Sequence, residues 1–131
     1  PDGKYRLPQD LHAEPDPPPD YPSRLLTLIR GNATHSQILP ENQAVPPTVL
    51  VSPENPLLKD LRVDRDVFLS SPLGRLKVKV RVLPGLHPEA VIYRRGDWLK
   101  CGGGANQLVA AETTDLGEGT AYYSQCVRLE N

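Results

Sequence analysis

Three consecutive glycines, Gly102-Gly103-Gly104, are the stretch of this chain whose residue types most directly suggest chemistry. Without Cβ atoms the backbone there can approach a ligand closely and turn N–H groups toward a phosphate; the same run would also serve as a plain flexible connection. Other catalytic patterns are poorly supported. His12, His35 and His87 are scattered, and no His-x-x-x-His or paired-cysteine spacing suggests a structural zinc site. No Gly-x-Ser-x-Gly nucleophile elbow occurs. Gly3-Lys4 is followed by Tyr5 and lacks an upstream glycine, so it is not a phosphate-binding P-loop. Lys77, Lys79 and Arg81 could form an anion-binding stripe, but a solvated strand face is the simpler reading. Asn32-Ala33-Thr34 matches the glycosylation sequon, a triplet that arises easily by chance. Trp98, the single tryptophan, reads as a core or lid residue. The residues thus assign no catalytic and no metal-ligating side chain.

The elements that position these residues must fit a chain of 131 residues, enough for one domain with one modest core. Apolar residues make up 38%, and the net charge of −1 gives no global electrostatic reason to expect nucleic acid or an anionic membrane as partner. No apolar run approaches the roughly 20 residues that span a bilayer, so membrane insertion is not expected. Pro1-Asp2-Gly3-Lys4-Tyr5 lacks a signal peptide's apolar stretch and an initiator Met, which reads as a cut inside a longer sequence. Cys101 and Cys126 stand far apart, with neither in a Cys-x-x-Cys pair. A disulfide between them is one reading; two separate thiols in a reducing compartment is the better one, and it favours the cytoplasm over the periplasm.

Seven of the 15 prolines fall in the first 22 residues, with Pro17-Pro18-Pro19 at the centre. Proline fixes φ and lacks an N–H donor, so Leu11 to Pro22 is expected as an extended arm, preceded by one short strand over Gly3 to Leu7. Residues 1–22 are thus read as arm and linker and residues 23–131 as the folded domain. Arg24 to Ile29 and Thr48 to Val51 are short and apolar, as buried strands are. Asn55-Pro56 reads as the N-cap and first turn of a short helix ending near Leu61. Asp66 to Ser70 and Gly74 to Val82 form the clearest hairpin, because Leu76, Val78, Val80 and Val82 alternate with the three basic residues. Ala90 to Tyr93 begins another strand, Ala105 to Glu112 reads as a helical turn or two, and Tyr122 to Leu129 as the closing strand. Six or seven short strands with at most two short helices point to a small barrel or sandwich; periodicity does not choose between them.

Taken in order, these pieces resemble the molybdopterin dinucleotide-binding domain. That domain ends the catalytic subunit in the family of formate dehydrogenases, periplasmic nitrate reductases and dimethyl sulfoxide reductase. Asp2-Gly3-Lys4-Tyr5 resembles the Gly-Lys strand before that domain, and Tyr21-Pro22 through Leu28 its Tyr-Pro opening strand. Arg30 and His35-Ser36-Gln37 resemble the cofactor-contacting loop after that strand, and Val51 to Asn55 the His-Pro-Glu-Asp-Ala segment, with Ser52 in place of His. Asp97-Trp98 and Gly104-Ala105-Asn106-Gln107-Leu108 are similar to the family's Trp and Ala-Asn-x-Leu-Thr stretches, and Cys126 to Glu130 to its closing strand. The shared order and spacing, across nearly the whole chain, make the signal specific. Three further positions depart from the pattern: Ile29-Arg30 stands for Gly-Arg, Arg65 for a frequent Gly, and Tyr123 or Ser124 for a Lys.

The resemblance implies a mainly β fold, a double-psi β-barrel with one or two short helices. It also implies a bis(molybdopterin guanine dinucleotide) cofactor carrying molybdenum or tungsten in the full-length protein, a cofactor the separate domain can lack. Pterin edges need hydrogen-bond partners and pyrophosphates need cations or backbone N–H groups. Thr27, Arg30, His35, Ser36, Gln37, Asn106 and Tyr123 are the candidate cofactor-binding residues. In this family the protein ligand to the metal and any iron–sulfur cluster belong to other domains. The expected partners are therefore the remaining domains of a parent oxidoreductase and an electron-transfer subunit, and the chain by itself is expected to be inactive. Two rival readings are a stand-alone double-psi barrel for protein interaction or substrate recognition, and a small hydrolase or decarboxylase on the same barrel. No nucleophile–base pair supports the second.

Overall fold

Short apolar segments punctuated by proline and glycine can form strands but no long helix. The computed structural model describes residues 2–4, 15–62, 64–114 and 117–131 and bears this out. Six strands follow one another: β1 (Ser23–Leu28), β2 (Thr48–Val51), β3 (Val67–Ser71), β4 (Gly74–Val82), β5 (Ala90–Arg94) and β6 (Cys126–Glu130). They close into a barrel in the order β1-β5-β2-β4-β3-β6. β1 pairs with β5, and β2 with β4, in parallel; the other neighbours are antiparallel. Exchanging β1-β2-β3 with β4-β5-β6 leaves this ring and every pairing direction unchanged. Two equivalent, interlocked halves of this kind make the double-psi barrel that the resemblance implied.

Inward positions are set by the two-residue period of each strand. Leu25, Val49, Val51, Leu69, Val91 and Val127 are fully buried in one core, each worth roughly 1.5–3 kcal/mol of transfer free energy. On β4 Leu76 and Val78 point in while Lys77, Lys79 and Arg81 are exposed, the solvated face expected from the alternation. Lys77 pairs with Asp66 at 2.7 Å on that face.

The two expected helices are single 3-10 turns. Asn55 does cap the first, its Oδ1 accepting from the Leu57 N–H at 2.9 Å, but the turn covers only Pro56–Leu58. The residues beyond, Lys59 to Asp64, are mostly charged and offer no apolar stripe to carry helix onward. The second, Ala105–Gln107, is pressed against the barrel: a Cβ on Gly74 would stand 2.8 Å from the Gln107 carbonyl oxygen. The closing strand runs over Cys126–Glu130 rather than from Tyr122, whose ring is exposed. Residues 15–22 carry no strand, and Arg24 donates to the Pro15 carbonyl at 2.7 Å. Of the expected strand over residues 3–7, residues 5–7 lie outside the described residues, as do residues 11–14 of the arm. Neither Cys101 nor Cys126 is in a disulfide. Among the described residues no helix is long and apolar enough to cross a membrane.

Because β2 runs antiparallel to β5, one end of the barrel gathers the C-terminal ends of β1 and β5 and the N-terminal ends of β2 and β4. The loops leaving that end contain the triple glycine and Arg30 to Gln37. The Ser52 to Asn55 segment lies at the opposite end, where Ser52 and Asn55 are buried in a tight turn.

Candidate functional site

Tyr93, the last inward residue of β5, stands opposite Thr27 of β1 and carries a hydroxyl into the end of the barrel. That hydroxyl donates to Asp97 Oδ2 at 2.7 Å and accepts the Gly104 N–H at 3.1 Å. Arg30 donates to Asp97 Oδ1 at 2.6 Å and to the Arg94 carbonyl at 3.0 Å. The Asp97 side chain is 1% exposed and the Arg30 side chain 21%, so the pair is held largely away from water. Burial first, and then the hydrogen bond to Asp97, push the Tyr93 phenol well above its ordinary value, so it stays a neutral donor. One buried carboxylate thereby ties three segments together: the loop after β1, the end of β5 and the triple glycine.

Close packing explains the glycines. A Cβ on Gly103 would stand 2.6 Å from the Asp97 Cβ. Gly96, at φ +114, lies so close beneath His35 that a Cβ there would collide with the His35 carbonyl oxygen. His35 itself is left-handed, at φ 50. The amides of the triple glycine are engaged inside the protein: Gly102 with the Leu99 carbonyl at 2.9 Å, Gly103 with the Trp98 carbonyl at 3.3 Å, and Gly104 with Tyr93. Trp98 is not part of the core. Its ring N–H donates to the Ser36 carbonyl at 2.7 Å and its backbone N–H to Gln43 Oε1 at 2.8 Å, bracing the loop that carries Ser36.

Two adjoining clefts open beside this network. One, of about 210 Å³, is lined among others by His35, Ser36, Arg95, Asn106 and Tyr122. The other, of about 610 Å³, is lined among others by Arg30, Thr34, His35 and Gln37, so His35 belongs to both. Five of the seven candidates, Arg30, His35, Ser36, Gln37 and Asn106, are thus brought together. Two are not. Thr27 follows the inward alternation of β1 and is 2% exposed, lining neither cleft, with its Oγ1 unpartnered among the described residues. Tyr123 is half-exposed and lines neither cleft, while its neighbour Tyr122 lines the smaller one.

Sequence reasoning missed Tyr93, Arg95, Gly96 and Tyr122 and gave Asp97 no role. The usable signal was a glycine between a basic and an acidic residue, Arg95-Gly96-Asp97, directly after an apolar strand. Among the described residues no group of three or more His, Cys, Asp or Glu could hold a metal ion.

The residues from 30 to 127 match the family model described as the molydopterin dinucleotide binding domain. Since that covers most of the chain, the chain belongs to this family. Among solved structures it is similar to acetylene hydratase from Pelobacter acetylenicus, with a TM-score of 0.66 and 13% sequence identity. The match covers 85% of this chain and 18% of that one, so the chain spans less than a fifth of that enzyme. A comparison with curated proteins returns no match.

The donor set suits a phosphate-bearing, heteroaromatic group. The Nε atoms of Arg30 and Arg95 are buried without a hydrogen-bond partner among the described residues. Beside them, the exposed side chains of Ser36, Gln37 and Asn106 offer hydroxyl and amide groups.

Proposed function

We propose that this chain binds a molybdopterin guanine dinucleotide at the cleft end of the barrel, as the cofactor-holding domain of a larger molybdopterin-dependent oxidoreductase. The observation that carries this reading is convergence. His35 and Ser36 come from the loop after β1, Asn106 from the turn after the triple glycine, and all three line one cleft. A family built to bind this dinucleotide gives that convergence its chemical meaning.

In this reading Ser36, Gln37 and Asn106 hydrogen-bond ring edges, and His35 does so from the ridge shared by both clefts. Arg30, fixed by Asp97, directs its remaining N–H donors at an anionic group. Thr27 offers its unpartnered hydroxyl from inside the barrel mouth, and Tyr123 comes into play when neighbouring domains cover the turn before β6. The bound group supplies two-electron oxidation, reduction or oxo transfer at molybdenum or tungsten; this chain binds and orients it. The metal's protein ligand and any iron–sulfur cluster belong to other domains of the parent protein. Those domains, and an electron-transfer subunit, are the proposed partners. Residues 1–22 serve as the connector to them, and the two unbridged thiols favour a cytoplasmic parent.

The test is to add extracted molybdopterin guanine dinucleotide to isotope-labelled chain and follow its NMR spectrum. Shifts at Arg30, His35 and Asn106 are expected; none at these three residues would overturn the assignment. Binding should be weak without the companion domains, and turnover of substrate by these 131 residues alone would overturn the cofactor-holding role.

A further inference from the structure

Anions in a protein cleft are held by backbone N–H groups or by cations. Here the triple glycine is not that source, since its three amides donate to the Leu99 carbonyl, the Trp98 carbonyl and the Tyr93 hydroxyl. Of the cations, Arg30 is paired with Asp97 and lines the larger cleft, not the smaller one. Arg95 differs. Its backbone N–H is fixed to the Leu28 carbonyl at 2.9 Å, and its side chain lines the smaller cleft. Its guanidinium lies 5.2 Å from the centroid of the Tyr122 ring, and its Nε is buried without an acceptor among the described residues. An aromatic face steadies a guanidinium but supplies no lone pair, so a buried N–H is left needing an acceptor.

We infer that Arg95, backed by the ring of Tyr122, is the seat for a phosphoryl group in this cleft. The inference rests on the dinucleotide reading above and deepens it, assigning the ligand's phosphate to Arg95 and not to the triple glycine. Ser36 and Asn106 stand round the same cleft and can donate to the remaining phosphoryl oxygens. The nearest carboxylate lining it, Asp97, adds no net repulsion because Arg30 is paired with it.

The probe is inorganic pyrophosphate, titrated into the labelled chain while the Arg95 Nε–H and Tyr122 resonances are followed. Saturable shifts at both are expected. Arg95→Gln should weaken pyrophosphate about tenfold or more, Arg95→Lys less, and Arg81→Gln, on the solvated face of β4, not at all. Equal affinities for Arg95→Gln and Arg81→Gln, or shifts confined to Lys77, Lys79 and Arg81, would overturn the inference. If Arg95→Gln does not fold, Arg95→Lys and Tyr122→Leu carry the test, and unchanged affinity in both overturns it. Extracted dinucleotide separates the two claims. Shifts at His35 and Asn106 with a silent Arg95 defeat the phosphate seat alone; pyrophosphate at Arg95 with no dinucleotide binding supports the seat and defeats the dinucleotide reading.

Discussion

Tyr93 and Asp97, four residues apart in the chain, meet through a 2.7 Å hydrogen bond that joins the barrel's interior to its functional loops. Tyr93 is placed by β5, opposite Thr27, so its position is settled by the same pairings that build the core. Asp97 takes its place from Tyr93, and Arg30 and the Gly103-Gly104 backbone take theirs from this pair. Barrel formation and cleft formation are therefore coupled through one phenol.

Removing that hydroxyl should loosen the cleft more than the barrel. Tyr93→Phe keeps the ring in the core but leaves the Gly104 N–H and one Asp97 oxygen without their partner. The expected cost is about 1–3 kcal/mol in urea unfolding. Amide hydrogen exchange should quicken at Gly103 and Gly104 while the β3–β4 hairpin stays protected; uniform loss across both would contradict the coupling.

Alkaline pH should act on the same group. The folded phenol's pKa is raised, so its contribution is fully present below the unfolded value near about 10 and is lost as pH rises through the higher folded value. Measured by unfolding from roughly pH 9 upward, the wild-type chain should lose stability faster than Tyr93→Phe. Parallel curves for the two would show that Tyr93 ionises freely in the fold.

Gly96→Ala places a methyl group against the His35 carbonyl at a backbone φ of +114, which strains any side-chain-bearing residue. The loop carrying His35 must move, and a destabilisation of at least about 1–2 kcal/mol is expected. Dinucleotide affinity should fall further than stability accounts for. A variant with wild-type stability and affinity would disprove the close approach.

Acid should release the strand that closes the barrel. Ser70 donates to Glu130 at 2.6 Å, and this bond, helped by Arg128, holds the Glu130 carboxyl below its ordinary value. Its contribution is present above the usual carboxylate range near about 4 and is lost as pH falls through the lower folded value. Glu130→Gln should therefore be less stable at neutral pH but lose less on acidification to about pH 3. Identical pH dependence in the two proteins would remove Glu130 from that role.

What was legible in the sequence was what is local. The alternation of Leu76 and Val78 with lysines located β4 and its wet face, and Asn55-Pro56 marked a capped turn although not its length. The order of strands round the ring was not legible from periodicity, since pairs such as Thr27 with Tyr93 join distant segments and leave no periodic trace. The resemblance supplied the type of barrel, and the structure its order. In the site, polar side chains clustered in one loop were found, because their types announce hydrogen bonding. The carboxylate that anchors them was not, because Asp97 acquires its role from Tyr93 and from Arg30, and the fold, not the sequence, brings Arg30 near. Tyr122 was missed in favour of Tyr123 for a smaller reason: in an exposed turn nothing in the sequence fixes which of two adjacent rings borders the cleft.

The ring order also dictates a timetable. β6, last of the six strands, fits between β1 and β3, so the earliest strand waits for the latest before its outer side is covered. Contacts so distant along the chain form slowly, and a chain emerging residue by residue must hold β1 and Arg30 without partners until residues 90–104 have followed. The cleft end is thus assembled late, after both of its contributing loops have left the ribosome.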